Sequence, residues 1–403
     1  PATSPKPFCG TVAKRWRRRR PSAPWTNQTG TLSLPFSKAF RSTLKGGSAA
    51  LLVTGSLLSP ASAGAISTDQ TTALLTALTD QLIVPGYTHL AEESSQLADV
   101  LDAYCTTPDT EGRTQVEAHF HTTMDAWQRV QIIQFGPIYE NRGPARFQFW
   151  PDKRGTGQRQ LRQVLNNQDE TVLPSGALAE KSVALGDLQA LEYVLFNDPD
   201  VTAQPDSFAC RYALAIARNQ EIQATEIVQM WTRNGGYREQ VLSAAEGTDV
   251  FFDEKEAAGR FLNDMAGAID VVRLQKLDRP MGLTLTGARP KRTENWRSQR
   301  SLRNIQLNLE SVQQFLTVED GFGDLLTSIG KDETATAMRE LVSEVLVDIA
   351  AFDQPLSEIV EDPDTRGDLE SLLAKLRSLQ SVVREQLAQD LGLVPGFNAT
   401  DGD

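Results

Sequence analysis

The sequence predicts an all-α protein made of two four-helix bundles packed together. Beyond residue 70, apolar residues recur at spacings of three and four, the periodicity of helices with one buried face, and the alternating patterns of β-strands are scarce. Clusters of Gly, Pro and Asn divide these stretches into eight helices, four in each half. The 340 residues that follow a predicted leader exceed what one hydrophobic core usually supports, which favours two packed units.

Four helices are predicted in the first half, at residues 71–104, 113–135, 178–196 and 208–233. The first is expected to bend at Pro85-Gly86, because proline removes a backbone donor and clashes with the preceding turn. Gly136-Pro137 ends the second. Residues 141–157 combine several Gly and Pro with three aromatic residues, so they are interpreted as a loop that is anchored in a groove.

The second half has the same number of helices, predicted at residues 254–277, 296–318, 331–360 and 365–391. A polar connection that contains proline, residues 278–293, separates the first two of them. The predicted domains are therefore a first bundle at residues 64–240 and a second bundle at residues 241–403.

Residues 1–63 do not have the composition of a folded domain, since they contain ten Lys or Arg and no Asp or Glu. Three basic residues precede an apolar run at residues 49–58, and the sequence Ala-Ser-Ala at residues 61–63 has the small-x-small pattern that signal peptidase recognises. Residues 32–63 are therefore predicted to be a secretory signal peptide. This implies a protein of the periplasm or cell envelope.

The apolar run is too short for a membrane-spanning helix, which needs about 20 residues. No transmembrane segment is expected in the mature chain. Residues 1–31, which include an arginine run, are interpreted as an over-extended gene start or a disordered N-terminus, and no function is assigned to them.

The charge balance after residue 63 argues against nucleic acid as a partner. There, 30 basic residues face 52 acidic residues, a net charge of −22 compared with −12 for the whole sequence. A field of that sign repels phosphate backbones and attracts cations. An acidic surface that only keeps the protein soluble is the simpler interpretation of the same composition.

Two cysteines lie beyond the predicted leader, Cys105 and Cys210. In an oxidising compartment they are expected to form one disulfide, between the end of the first helix and the start of the fourth. Two separate buried thiols, or a metal site with only two thiolates, are the alternatives.

The most strongly patterned segment is residues 178–196, in which the spacing of the apolar residues predicts one buried helix face. Gln189 and Glu192 lie three residues apart, so they are neighbours on an adjacent face. A carboxylate framed by apolar residues is either a surface group or a buried one that hydrogen bonds or a cation must stabilise. An interhelical ion pair of Glu192 with Arg297 or Arg211 is the purely structural alternative.

This segment resembles the signature helix of the imelysin-like family of bacterial cell-envelope proteins, in which a Gly-x-His-x-x-Glu motif precedes aromatic and aliphatic residues. The motif positions here are Asp187, Gln189 and Glu192. The glutamate is kept, whereas the glycine and the histidine are replaced. Other stretches that resemble the family extend the likeness from about residue 70 to about residue 395: Gln134-Phe135-Gly136-Pro137, Phe149-Trp150-Pro151-Asp152, Cys210-Arg211-Tyr212 and Glu294-Asn295-Trp296-Arg297-Ser298.

The resemblance implies two bundles related by duplication, with a pocket near their junction beside the motif. Gln189, Glu192 and Asp187 are the candidate ligand-binding residues, with Asp187 expected about 140° around the helix from Glu192. The resemblance also implies iron-regulated expression and kinship with ferrous-iron uptake proteins. The sequence does not identify a cofactor, and iron or another divalent metal is the candidate that the resemblance suggests.

Metal-dependent peptidase activity was the first role associated with the family. A zinc hydrolase needs at least three protein ligands, usually with His among them, and a general base. The replacement of the motif histidine by Gln189 therefore argues against catalysis. Glu192 is left as a candidate metal ligand of the motif.

A second candidate metal group lies in the first predicted helix. His89, Glu92 and Glu93 have the spacing i, i+3 and i+4, which allows joint coordination from one helix face. An exposed polar turn is the alternative interpretation of these residues.

The predicted function is a secreted, non-catalytic imelysin-like protein that binds a small ligand or metal ion at the bundle junction and is linked to iron acquisition. One alternative is a metal-dependent peptidase or hydrolase of the imelysin type. Another is an envelope protein that interacts with other proteins and keeps only a vestigial pocket. The expected partners are thus a small ligand or metal ion and an envelope protein.

Overall fold

Helices are the regular elements throughout the residues that the structure, a computed structural model, describes, which are 66–140 and 142–393. The all-α prediction is confirmed. The predicted signal peptide and residues 1–31 lie outside the described residues. In the described part of the chain, no helix has both the length and the apolar character needed to cross a membrane.

Seven helices form the first half of the described chain. They are α1 (Thr68–Ala77), α2 (Val84–Thr106), α3 (Thr110–Val130), α4 (Thr156–Asn167), α5 (Leu188–Phe196), α6 (Phe208–Thr232) and α7 (Tyr237–Leu242). Helices α2, α3, α5 and α6 pack together as a four-helix bundle. A π-helical segment, Leu78–Ile83, joins α1 to α2 directly before Pro85, where its wider turn accommodates a residue that has no backbone donor.

Eight further helices form the second half of the described chain. They are α8 (Glu254–Asp270), α9 (Arg279–Met281), α10 (Ser301–Thr317), α11 (Phe322–Ser328), α12 (Asp332–Ala350), α13 (Leu356–Ile359), α14 (Arg366–Ser381) and α15 (Ala388–Leu391). Helices α8, α10, α12 and α14 pack as the second bundle. Two π-helical segments, Val271–Asp278 and Val382–Leu387, extend α8 and α14.

The two bundles meet where α3 packs on α10 and where α1 packs on α8. Buried apolar side chains from both halves form one continuous core. The expected pair of four-helix bundles is therefore present. The domain boundary at residue 240 remains a prediction, since α1 lies before it in sequence and packs on the second bundle.

Cys105, in the last turn of α2, and Cys210, in the first turn of α6, form a disulfide with a Cα–Cα distance of 5.5 Å. The predicted bond is confirmed. The two cysteines are 105 positions apart in sequence, and the segment between them carries α3, α4 and α5. The bond therefore fixes one end of the α2–α6 pair on which the first bundle is built.

The single helix predicted at residues 178–196 is wrong in its first half. Residues before α5 form two short 3₁₀ turns, Ala177–Glu180 and Val183–Leu185. Side chains of α6 bind the carbonyl groups that a helix would use: the Tyr212 hydroxyl donates to Leu185 O at 2.6 Å, and Gln220 Nε2 donates to Gly186 O at 2.6 Å. The regular helix therefore begins only after these carbonyls are satisfied.

Other parts of the helix prediction also differ from the structure. Helix α10 begins at Ser301 rather than at residue 296, because Asn295 and Gln299 have φ values of 48° and 56°, which a right-handed helix excludes. Helix α12 ends at Ala350 because the chain reaches Pro355. The sequence interpretation also missed α4, whose buried face is Leu161 and Val164.

Candidate functional site

Asp187 is the N-cap of α5 and connects that helix to the loop before α4. This loop contains Phe147, Phe149 and Trp150 and is called the aromatic loop below. Its Oδ1 accepts the backbone N–H of Ala190 at 2.8 Å, and its Oδ2 accepts the backbone N–H of Phe149. Asp187 therefore precedes the helix and does not occupy the expected helix face 140° from Glu192. Burial raises the pKa of Asp187 to about 7, although both backbone N–H groups act in the opposite direction.

Glu192 is fully buried one turn further along α5. Its Oε1 accepts the backbone N–H of Ser298 at 3.0 Å and the Ser298 hydroxyl at 2.8 Å. Its Oε2 accepts a hydrogen bond from Gln189 Nε2, as their spacing predicts. Burial raises the pKa of Glu192, and the bonds from Ser298 oppose that shift. Glu192 thus joins α5 of the first bundle to the loop that precedes α10.

Neither arginine forms the ion pair considered for Glu192. Arg211 pairs with Glu170 on the surface at 2.8 Å, so that alternative is wrong. Arg297 lies over the rings of Tyr193 and Trp296, at 4.8 and 4.4 Å from their centroids. The positive charge of Arg297 still lowers the pKa of Glu192, but serine and amide groups are its hydrogen-bond partners.

A buried polar cluster connects the two bundles next to Glu192. Its centre is the ion pair of Lys276 Nζ with Glu294 Oε2 at 2.8 Å, in which the side chains are 1% and 0% exposed. Burial lowers the pKa of Lys276, and the charge of Glu294 opposes this shift. The cluster, called the polar junction below, consists of Gln128, Gln131, Gln148, Lys276, Glu294, Asn295, Asn304 and Asn308.

The sequence interpretation did not predict this junction. Lys276 donates to Gln128 at 2.7 Å and to Asn308 at 2.6 Å, and Asn304 donates to Glu294 at 2.8 Å. The Lys276 ammonium is therefore bound by acceptors of both bundles. The one sequence feature that points to the junction is the resemblance of Glu294-Asn295 to a stretch of the imelysin-like family. That resemblance gives no indication of Lys276.

A pocket of about 440 Å³ opens beside α5, between the two bundles. The first bundle contributes the aromatic loop and residues of α5, and the second contributes residues of the connection that precedes α10. Its aromatic lining residues are Phe149, Trp150, Tyr193 and Trp296. The size and the mixture of apolar walls with polar groups are typical of small-molecule sites.

The three candidate ligand-binding residues have different places at this pocket. Asp187 and Gln189 line it, whereas Glu192 lies behind them and is not among the lining residues. Gln189 keeps one buried atom, Oε1, without a hydrogen-bond partner. Of the motif residues, Gln189 therefore both lines the pocket and has a polar atom without a hydrogen-bond partner.

The candidate metal group on α2 is only partly assembled. His89 Nδ1 lies 3.9 Å from Glu93 Oε1, and the His89 side chain is 53% exposed. Among residues 66–140 and 142–393, no three His, Cys, Asp or Glu side chains are grouped so that they could hold a metal ion. A metal at Glu192, or at His89, Glu92 and Glu93, would need ligands from outside these groups, and both sites remain predictions.

Comparisons with known proteins agree with this architecture. The family model described as imelysin matches residues 83–383. Iron-regulated protein A of Synechococcus elongatus is 24% identical over 249 residues, which cover 59% of this chain and 64% of that protein. The chain thus spans slightly less than two thirds of the length of this relative.

Two solved structures share the fold. An imelysin-like protein from Psychrobacter arcticum superposes with a TM-score of 0.71 at 16% identity, over 82% of this chain and 98% of that one. A candidate iron-regulated protein A precursor from Parabacteroides distasonis superposes with a TM-score of 0.69 at 15% identity, over 80% and 97%. At these identities the likeness establishes the fold alone.

Proposed function

The chain belongs to the imelysin family, and on that premise we propose that it is an exported, non-catalytic member that binds a small ligand beside α5, in a process linked to iron acquisition. The position of the pocket carries this proposal. The cavity of about 440 Å³ opens on residues 187–193, the turn of α5 that corresponds to the family motif. A ligand in this cavity would contact both bundles at once.

The arrangement of Glu192 supports a non-catalytic role. A general base must come within hydrogen-bond reach of the proton that it removes. Both carboxylate oxygens of Glu192 already accept hydrogen bonds from Ser298 and Gln189, and the side chain is fully buried. Gln189, at the position of the motif histidine, supplies an amide where a zinc hydrolase would use an imidazole.

Export and the link to iron rest on other observations. The basic, then apolar, then small-residue order of residues 32–63 is that of a signal peptide, and the Cys105–Cys210 disulfide is typical of an oxidising compartment. The Synechococcus relative is an iron-regulated protein by name. Together these observations favour a periplasmic or cell-envelope protein whose production responds to iron.

Native mass spectrometry of the protein purified without chelator tests the ligand-binding part. One small molecule per chain is expected, and Tyr193→Ala should lose it because Tyr193 forms part of the pocket wall. Tyr139→Ala is the matched control, since Tyr139 is exposed and lies outside the pocket lining. A bound molecule that survives Tyr193→Ala, or a chain that never carries one, would contradict the proposal.

The non-catalytic part is tested with unstructured peptide substrates in the presence of zinc, ferrous, ferric or cupric ions. No cleavage is expected with any of them. Metal-dependent cleavage that Glu192→Gln abolishes would show the peptidase alternative to be correct. The link to iron fails if the amount of transcript does not change when iron is withdrawn from the cells.

A further inference from the structure

The lining of the pocket has a charge opposite to that of the chain. Its cationic side chains outnumber its acidic ones by five to two: Lys153, Arg279, Lys291, Arg292 and Arg297 against Asp152 and Asp187. The whole sequence carries a net charge of −12. Apolar walls around a cluster of one sign concentrate its field on whatever enters the cleft. The pocket therefore attracts anions, although the chain as a whole attracts cations.

The two acidic side chains of the pocket lining already accept hydrogen bonds from backbone N–H groups. Asp152 Oδ1 accepts the N–H of Thr156 at 2.9 Å, and its Oδ2 accepts the N–H of Gln158 at 3.2 Å, both in the first turn of α4. Asp187 accepts the backbone N–H of Ala190 at the start of α5 and that of Phe149 in the loop before α4. Each carboxylate is held at a helix start, where it stabilises the helix. Neither is placed to pair with the cations.

Four of the cations have no carboxylate partner in the part of the chain that the structure describes. Within the described residues, Arg279, Lys291, Arg292 and Arg297 form no ion pair within 4.0 Å. Two of them instead pack on the Trp296 ring, Lys291 Nζ at 5.5 Å and the Arg297 guanidinium at 4.4 Å from its centroid. Cation–π contacts of this kind orient a charge without neutralising it. The positive charge is thus left for a ligand.

The aromatic walls of the pocket and one polar atom, Gln189 Oε1, indicate two further properties of the ligand. Phe149, Trp150 and Trp296 offer aromatic surface on which a flat ring can stack. Gln189 Oε1 is buried without a hydrogen-bond partner, because the amide nitrogen of the same side chain donates to Glu192. A buried acceptor without a partner is unfavourable, so a ligand that carries an N–H or O–H group would be selected here.

We propose that the pocket binds a small, flat organic carboxylate that also carries one hydrogen-bond donor for Gln189. Guanidinium groups bind carboxylates through two parallel hydrogen bonds, which suits the exposed Arg292 and Arg279. The excess of positive charge disfavours a free metal cation. This inference rests on the proposed function and adds the chemical class of the ligand.

Calorimetric titration of the full chain with four probes tests the proposal. An indole carboxylate is flat, anionic and carries an N–H donor. Its carboxamide removes the charge, an aminomethyl indole reverses it, and cyclohexane carboxylate keeps the charge on a ring that is not flat. The indole carboxylate should bind one per chain, at least about tenfold more tightly than the other three, and more weakly as salt is added.

Arg292→Glu provides the variant, and Arg154→Glu is the matched control. Both arginines are exposed, and Arg154 is not part of the pocket lining. Arg292→Glu should weaken binding of the indole carboxylate by about tenfold or more, while Arg154→Glu should change it by less than about twofold. Both variants should keep the unfolding midpoint of the unmodified chain, which shows that they fold.

Several results would overturn the assignment. They are no binding of the indole carboxylate, equal binding of its carboxamide, equal binding of cyclohexane carboxylate, or the same effect from Arg292→Glu and Arg154→Glu. If native mass spectrometry reveals a neutral or cationic ligand that Tyr193→Ala removes, the carboxylate assignment is wrong and the ligand-binding function stands. If it reveals no ligand while the indole carboxylate binds as expected, the chemistry of the pocket is correct and the proposed physiological role is wrong.

Discussion

The polar junction and the pocket lie next to each other between the two bundles, and both contain charged side chains, but they use charge differently. Lys276 and Glu294 are buried and pair at 2.8 Å. Arg292 precedes Glu294 by two residues, is exposed and forms no ion pair within the described residues. The Lys276–Glu294 pair lies within the second half, and Lys276 reaches the first bundle through hydrogen bonds to Gln128 and Gln131. A charge that is left without an opposite charge is available to a ligand.

This difference follows from the cost of removing charges from water. A buried ion pair repays that cost only when its geometry is good and further hydrogen bonds satisfy the remaining donors and acceptors. Lys276 meets this condition through Gln128, Gln131 and Asn308. The exposed cations of the pocket remain hydrated until a ligand arrives, so they need no such partners. The comparison predicts that equal substitutions in the two regions have unequal effects.

The largest expected effect is that of Lys276→Met on stability. It leaves the Glu294 carboxylate buried without its cation, which should lower the free energy of unfolding by about 3 to 5 kcal/mol. Lys291→Met makes the same chemical change at an exposed position of the pocket and should stay within about 0.5 kcal/mol of the unmodified chain. Urea unfolding followed by circular dichroism measures both. Equal losses would remove the distinction between the two regions.

A double variant shows whether the loss arises from the pair. Lys276→Met with Glu294→Gln has no unpaired buried charge, so it should be more stable than Lys276→Met alone. If the free energy of unfolding of the double variant falls by the sum of the losses in the two single variants, the two side chains act independently.

The second expected effect is a pH dependence that comes from Asp187. In the folded chain this carboxyl keeps its proton up to about pH 7, whereas in the unfolded chain it loses it near pH 4. Between these values the folded state binds more protons, so the free energy of unfolding should fall as the pH rises, by up to about 4 kcal/mol. Urea unfolding at several pH values measures this slope.

Asp187→Asn is the variant for the pH measurement, because asparagine can still cap α5 but does not titrate. The slope between pH 4 and pH 7 should become smaller, with a remainder from Glu192, whose pKa is also raised. An unchanged slope would assign the pH dependence to other groups.

The fold was largely predictable from the sequence because helices have a local signal. The spacing of apolar residues and the positions of Gly and Pro located α6, α8 and α14 closely. The adjacency of Gln189 and Glu192 is also local, since it depends only on the helix period. The turns before α5 were not predictable, because they depend on Tyr212 and Gln220 of another helix.

The charged site was much less predictable, for the same physical reason. Lys276 and Gln128 are 148 residues apart in sequence, and no local pattern connects them. Arg279, Lys291 and Arg292 stand in a polar connection that has the composition of a solvent-exposed loop. Only the three-dimensional structure brings these cations opposite the aromatic loop of the first bundle.

A moderate effect is expected for Glu192→Ala, which leaves two donors of Ser298 without their acceptor. Stability should fall by about 1 to 3 kcal/mol. Glu192→Gln should lose less, since its carbonyl oxygen can still accept from Ser298. In a double-mutant cycle with Ser298→Ala the effects should be less than additive. Strict additivity would mean that Ser298 does not hold Glu192 in place.

The smallest effect is expected for Arg211→Ala, although Arg211 forms two hydrogen bonds to Glu170, at 2.8 and 3.0 Å. Both side chains are well exposed, and ion pairs in water are screened and often contribute nothing measurable. Urea unfolding should therefore not resolve a change. A loss as large as that of Glu192→Ala would show that exposure does not decide what a charge contributes, and the contrast between junction and pocket would then need another explanation.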